Sequence, residues 1–214
     1  MRTTVYLIRH SEKLRNAVNI VNSDSFQLMN EKQLLSVEGE RKAKLLSESA
    51  EMQNIDTVIA SNYVRAVGTA KYIADKNNTD IKVTQDFGER KYGISSASDV
   101  IFDFERRQIV DESFKIGDGE SQSEVRTRMY NALINVLDSY CGERIAIVSH
   151  GTAMLFLLGK WCDISLINND DYKLGVRIKF NGVSIFEGNF SAPEIFKLIF
   201  DSDNLISIEN IKIE

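Results

Sequence analysis

Four short runs rich in β-formers, Thr4 to Ile8, Thr57 to Ser61, Ile81 to Thr84 and Arg144 to Ser149, alternate along the chain with segments of helical periodicity. This alternation constrains the fold most strongly. Strands separated by helices pair in parallel, so the pattern predicts an α/β architecture with a largely parallel sheet. The helical segments begin with Val37 to Met52, for which Ser36 is the N-cap, and Tyr63 to Lys76, where Ala66, Ala70 and Ile73 share a face. A third follows the capping box Ser121-Gln122-Ser123-Glu124 and carries Val125, Met129, Leu133, Val136 and Tyr140. A fourth starts after His150 and carries Met154, Leu155, Leu158 and Trp161. Beyond it, Val176 to Phe180, Val183 to Phe186 and Phe196 to Phe200 read as strands completing a mixed sheet.

With 214 residues and 43% hydrophobic content, the chain is long enough for one domain over 1–214 with a sizeable core. Pro193 is the only proline, and no Gly/Ser-rich or single-sign charge stretch marks a linker. The net charge of -5 argues against a nucleic-acid partner held by general phosphate neutralisation. Any phosphate recognition must therefore be local. No apolar run reaches the ~18 residues needed to span a bilayer, and Val5 to Ile8 is too short for a signal-peptide core, so no membrane partner is expected. Cys141 and Cys162, isolated in sequence, fit reduced thiols serving as buried filler in a cytoplasmic protein.

In open α/β sheets, ligands bind beyond the carboxyl ends of the strands. Here those ends carry a chemically selective set. The first strand runs into Arg9-His10, the second into Arg65, the third leads to Glu89, and the fourth ends on Ser149-His150. Both histidines of the chain thus fall on one predicted edge. Arg65 sits in the first turn of its helix, where the macrodipole disfavours a cation, and a nearby anion would reverse that penalty. Taken singly, each residue has a plainer reading: a hydrogen-bonded structural histidine, a surface ion pair, a charged loop around Glu89.

The ordered motifs resemble the histidine phosphatase superfamily, also called phosphoglycerate mutase-like. Arg9-His10-Ser11-Glu12 is similar to the signature Arg-His-Gly-Glu/Gln, with Asn16 where many members have asparagine. "LLSVEG" (Leu34 to Gly39), "SNYVRAVGTA" (Ser61 to Ala70), "GERKYG" around Glu89, "GES" (Gly119 to Ser121) and Ser149-His150-Gly151 follow in the family's order. The resemblance implies a three-layer α/β/α sandwich around a mostly parallel mixed sheet. It also implies that His10 is a nucleophile forming a phosphohistidine, that Arg9, Arg65, His150 and Asn16 form the phosphate pocket, and that Glu89 protonates the leaving group. Ser11 departs from the usual glycine, which lets backbone approach a phosphate closely or adopt an unusual φ.

The chemistry supports such a scheme without a metal or another cofactor. A phosphoryl group in transfer spreads charge over three oxygens, which fork-shaped guanidiniums stabilise. A neutral imidazole is nucleophilic near neutral pH, a protonated His150 would add positive charge, and a buried carboxylic acid can deliver a proton and later take one from water. The implied partner is a small-molecule phosphomonoester, a phosphopeptide also presenting the same group.

Three alternatives stay open. Cofactor-dependent phosphoglycerate mutases of the family carry a longer, more basic insertion after the proton-donor region. Here the stretch from Glu89 to Gly119 is shorter, with Arg106, Arg107 and Lys115, although "ERKYG" is similar to the mutase Glu-Arg-His-Tyr-Gly. A non-catalytic phospho-ligand binder would keep both arginines. A metallophosphatase would use His10, His150 and carboxylates such as Glu12, against the repulsion of Arg9.

Overall fold

The computed structural model describes residues 1–14, 25–96, 99–167 and 175–213. The chain runs β1 (Arg2–Arg9), α1 (Phe26–Lys32), α2 (Val37–Glu48), β2 (Thr57–Ser61), α3 (Val64–Asn77), β3 (Ile81–Thr84) and α4 (Phe104–Val110). It continues through α5 (Gln122–Ser139), β4 (Arg144–Ser149), α6 (Gly151–Leu158), β5 (Cys162–Ile167), β6 (Gly175–Phe180), β7 (Val183–Gly188), β8 (Glu194–Asp201) and β9 (Asn204–Ile211). The main sheet has the order β3-β2-β4-β1-β8-β9. Its first four strands are parallel, and β8 and β9 are added antiparallel beyond β1.

Successive strand side chains point to opposite faces, so a central strand covered on both sides must be apolar throughout. In β1, Val5 and Leu7 face α5 and α6, meeting Val125, Met129, Leu133 and Met154. Tyr6 and Ile8 face α2 and α3, meeting Leu46, Ala66, Ala70 and Ile73. The result is the three-layer α/β/α sandwich, in which each large buried side chain contributes roughly 1.5–3 kcal/mol of burial. The Ser36 hydroxyl accepts from Gly39 N at the start of α2, and Ser121 and Glu124 form a reciprocal capping box at α5; such caps contribute ~1 kcal/mol each.

Several boundaries differ from the sequence reading. The helix expected over Val37 to Met52 stops at Glu48: Ser49 is extended, its hydroxyl donates back to Leu46 O, and Ala50–Met52 is a separate 3₁₀ turn. The helix after His150 ends at Leu158, so Trp161 lies outside it and Cys162 opens a strand. Val176 to Phe180 and Val183 to Phe186 do not complete the main sheet. They belong to β6 and β7, which pair with β5 in a second, three-stranded antiparallel sheet. The reason is local: Asn181 and Gly182 both have positive φ, the requirement of a tight two-residue hairpin turn, and this ties β6 to β7. Of those three segments, only Phe196 to Phe200, within β8, extends the main sheet. Cys162 is buried, which pushes its thiol up to about 12, whereas Cys141 is exposed rather than core filler. No helix among the described residues is long and apolar enough to cross a membrane.

Candidate active site

Parallel pairing of β1 with β4 sets Arg9 opposite Ser149. The next residue of each strand, His10 and His150, therefore leaves the sheet beside the other. His10 N donates to Ser149 O at 2.9 Å, and the two imidazole centroids lie 5.1 Å apart. Strand β2 ends at the same edge with Ser61, whose hydroxyl is 2.8 Å from His150 Nε2. Four residues on, the first turn of α3 delivers Arg65, which is almost wholly buried.

The hydrogen bonds assign both tautomers. His10 Nδ1 lies 2.6 Å from Ser11 O, and a carbonyl only accepts, so Nδ1 carries the proton. Nε2 is then a lone pair, and it accepts from Arg65 Nε at 2.9 Å. Arg65 Nη2 is 3.2 Å from His150 Nδ1, which must also accept, leaving His150 Nε2–H to donate to Ser61. Arg65 Nη1 donates to Asn30 O of α1. One guanidinium thus reaches both imidazoles and a backbone carbonyl.

Burial above all, and then the charge of Arg65, hold His10 well below its ordinary value; His150 is lowered by burial and then by His10 and Arg65. Both rings are neutral as the site stands, so the protonated His150 considered from sequence is not what this geometry holds. Burial also lowers Arg9 and Arg65, with Glu89 opposing it in both cases. Two desolvated cations share one small space, an arrangement that favours an incoming anion.

Arg9, His10, Arg65 and Glu89 line a cavity of about 450 Å³. His150 lies behind Arg65, fully buried. The Arg9 Nη1 group donates to Phe190 O and to Ser191 O, the latter at 3.0 Å, while its Nε is buried with no partner. Gly151 permits this packing, because a Cβ there would stand 3.2 Å from Arg9 Nε. Glu89 Oε1 accepts from Arg90 N at 2.9 Å and from Ala153 N, in the first turn of α6, at 3.0 Å. The carboxylate is therefore seated on a helix N-terminus. Of the residues expected in the pocket, Asn16 lies outside the described residues. Among the described residues, no group of three or more His, Cys, Asp and Glu side chains could hold a metal ion.

Other residues contribute in ways the sequence did not disclose. Ser11 does not require a positive φ, its hydroxyl donates to Gly39 O at 2.7 Å, and its N–H donates to Thr69 Oγ1 at 2.9 Å. Serine thus ties the His10 loop to α2 and α3. Gly39 itself is obligatory, since a Cβ would come within 2.0 Å of Glu12 O. Tyr63 packs its ring 4.5 Å from that of His150 and under the Arg65 guanidinium, at 4.8 Å. Ser61 and Tyr63 lie inside the motif that carries Arg65, so their place was marked though their roles were not. Glu194 is 2% exposed and accepts from Ser191 N at 2.7 Å and from the Ser191 hydroxyl, Asn210 and Lys212. It fixes the segment whose carbonyls hold Arg9.

Residues 5–192 match the model of the histidine phosphatase superfamily (branch 1). The chain belongs to this family. It is 34% identical over 157 residues, 70% of each chain, to the "Probable phosphoglycerate mutase GpmB" of Enterobacter sp. (strain 638). Among solved structures, the mycobacterial glucosyl-3-phosphoglycerate phosphatase superposes with a TM-score of 0.67 at 15% identity, covering 98% of this chain and 97% of that one. The phosphoserine phosphatase of Entamoeba histolytica, solved with 3-phosphoglyceric acid, gives 0.63 at 18% identity and 98% coverage of both chains. At those identities the structural likeness speaks for the fold, the phosphoglycerate mutase-like α/β sandwich.

Proposed function

We propose that the protein is a metal-independent phosphomonoester hydrolase that works through a phosphohistidine on His10. The observation that carries this reading is the His10 tautomer: its Nδ1 proton is fixed on Ser11 O, and the Nε2 lone pair is held on the buried Arg65 guanidinium, in a cavity that the half-buried Arg9 also lines. A phosphoryl group entering between Arg9 and Arg65 takes over the Arg65 N–H that now rests on Nε2. That exchange frees the lone pair for attack on phosphorus.

As the P–O bond to the leaving group breaks, Glu89 gives its proton to the departing oxygen. Water then attacks the phosphohistidine, Glu89 accepts the water's proton, and inorganic phosphate leaves. His150, with its Nδ1 on Arg65, is the group behind the clamp that orients the guanidinium. Small phosphomonoesters are the substrate class, in keeping with the phosphorylated compounds named for the two structural neighbours. A second reading, phosphotransfer between positions of a phosphoglycerate, is favoured by the name of the curated relative and would use the same first step.

The test is hydrolysis of an aryl phosphate from mildly acidic to neutral pH, with and without chelator, for the wild type and His10→Ala. The expected result is chelator-resistant turnover that vanishes in the variant. Because His10 is held well below its free value of ~6.5, the nucleophile stays unprotonated at mildly acidic pH and activity persists there. Wild-type turnover in His10→Ala would overturn the phosphohistidine.

A further inference from the structure

The cavity is also lined by a second acid, Glu105 of α4, which the scheme above does not use. Behind it lies Arg90, a side chain with no solvent exposure at all. The Arg90 guanidinium packs against the stacked pair of Tyr92 and Phe104, 4.1 Å from the first ring centroid and 4.7 Å from the second. It donates to Gln108 Oε1, and its Nε has no partner. Glu105 Oε1 stands 3.6 Å from Arg90 Nη2, beyond hydrogen-bond range, and nearly half of the Glu105 side chain remains exposed. The buried cation is thus screened by a carboxylate that faces the cavity.

We propose that Glu105 is a charge filter on the leaving-group side, closing Arg90 off from the cavity and selecting phosphoesters whose leaving group presents a cationic or hydrogen-donating group there rather than an acid. The proposal rests on the phosphatase reading for its direction, with phosphate at Arg9 and Arg65 and leaving group outward. Tyr92, Leu155, Val176 and Phe190 also line the cavity and give the rest of the leaving group apolar side chains to meet. Lys13, three residues after His10, also lines the cavity, and its field acts on His10, so its charge adds to the phosphoryl end. An aminoalkyl phosphate matches this polarity: dianion at the clamp, ammonium at Glu105. A carboxylated ester such as a phosphoglycerate opposes it, because its acid would meet Glu105 while Arg90 stays out of reach.

Non-hydrolysable phosphonates read this selectivity without turnover. Affinities of 2-aminoethyl- and 3-aminopropylphosphonate are compared with those of phosphonoacetate and 3-phosphonopropionate by calorimetry, for the wild type, Glu105→Gln and Glu105→Asp. Expected is about a tenfold preference of the wild type for the amino compounds, retained in Glu105→Asp and lost or inverted in Glu105→Gln as Arg90 is unmasked. Ratios within each protein cancel any general loss of affinity. Equal or tighter binding of the carboxylates by the wild type would overturn the filter, as would an unchanged ratio in a folded Glu105→Gln. Failure of the phosphatase reading shows separately, as no aryl phosphate hydrolysis.

Discussion

Arg65 and Arg9 reach the same cavity from regions built on different principles. Arg65 comes from the parallel core: it rises from the first turn of α3, packs over Tyr63, and spends its N–H groups on His10, His150 and Asn30 O. Arg9 leaves β1 toward the C-terminal part of the chain and is held by the carbonyls of Phe190 and Ser191, which hang on the buried carboxylate of Glu194. One guanidinium is coupled to the His10 imidazole directly. The other is coupled to a loop. Under the proposed phosphatase scheme the difference predicts a division of labour, in which Arg65 sets the chemistry and Arg9 sets how well the phosphate is gripped.

Lysine substitutions put this comparison at greatest risk. Arg65→Lys keeps a charge but cannot bridge two imidazoles, so kcat for an aryl phosphate should fall about 10²–10³-fold, the usual scale for removing a preorganised donor at a developing charge. Arg9→Lys should lose only about tenfold in kcat/KM, mostly through a raised KM, because a single ammonium can still contact the phosphate and the carbonyls. Equal losses in kcat for the two variants would erase the distinction.

Glu194 gives a smaller and more pointed effect. Glu194→Gln keeps the shape while removing the charge that Lys212, Asn210 and the Ser191 N–H surround. Slackening of the 190–191 carbonyls should raise KM about three- to tenfold with kcat little changed. In the double variant with Arg9→Lys the two losses should add to less than their sum, with a coupling of about 0.5–3 kcal/mol. Full additivity would mean that Glu194 merely stabilises the fold.

The same contrast explains what the sequence could disclose. Side chains at strand ends are legible, because His10, His150, Arg65 and Glu89 are rare or chemically marked residue types at positions that an alternating β/α pattern brings to one edge. The alternation predicted the parallel sheet, whereas the three layers were what the family resemblance implied; Val5 and Leu7 on one face of β1 and Tyr6 and Ile8 on the other show both faces covered. Arg9's anchors were illegible because they are backbone carbonyls, which any residue supplies, positioned by Glu194 through contacts with Ser191, Asn210 and Lys212. The second sheet was illegible for a related reason: β6 and β7 have ordinary strand composition, and which sheet they join is decided by the Asn181-Gly182 turn and by packing on α5 and α6. Glu105 was hidden because its meaning depends on Arg90 being stacked and buried, which no spacing announces.

The smallest effect concerns Ser11, where this chain departs from the family's glycine. Its backbone needs no positive φ, and its hydroxyl points to Gly39 O rather than into the cavity. The side chain therefore neither narrows the cavity nor strains the loop; it ties the residue after His10 to α2. In Ser11→Gly the lost hydrogen bond, about 0.5–1.5 kcal/mol, and the added freedom of glycine in the unfolded chain, about 0.4–1 kcal/mol, act in the same direction. The expected outcome is a fall in Tm of roughly 2–10 °C for a chain of this size, with kcat/KM within about threefold of the wild type. A tenfold rise in kcat/KM would reverse the reading, making serine a brake on His10 rather than part of its mounting.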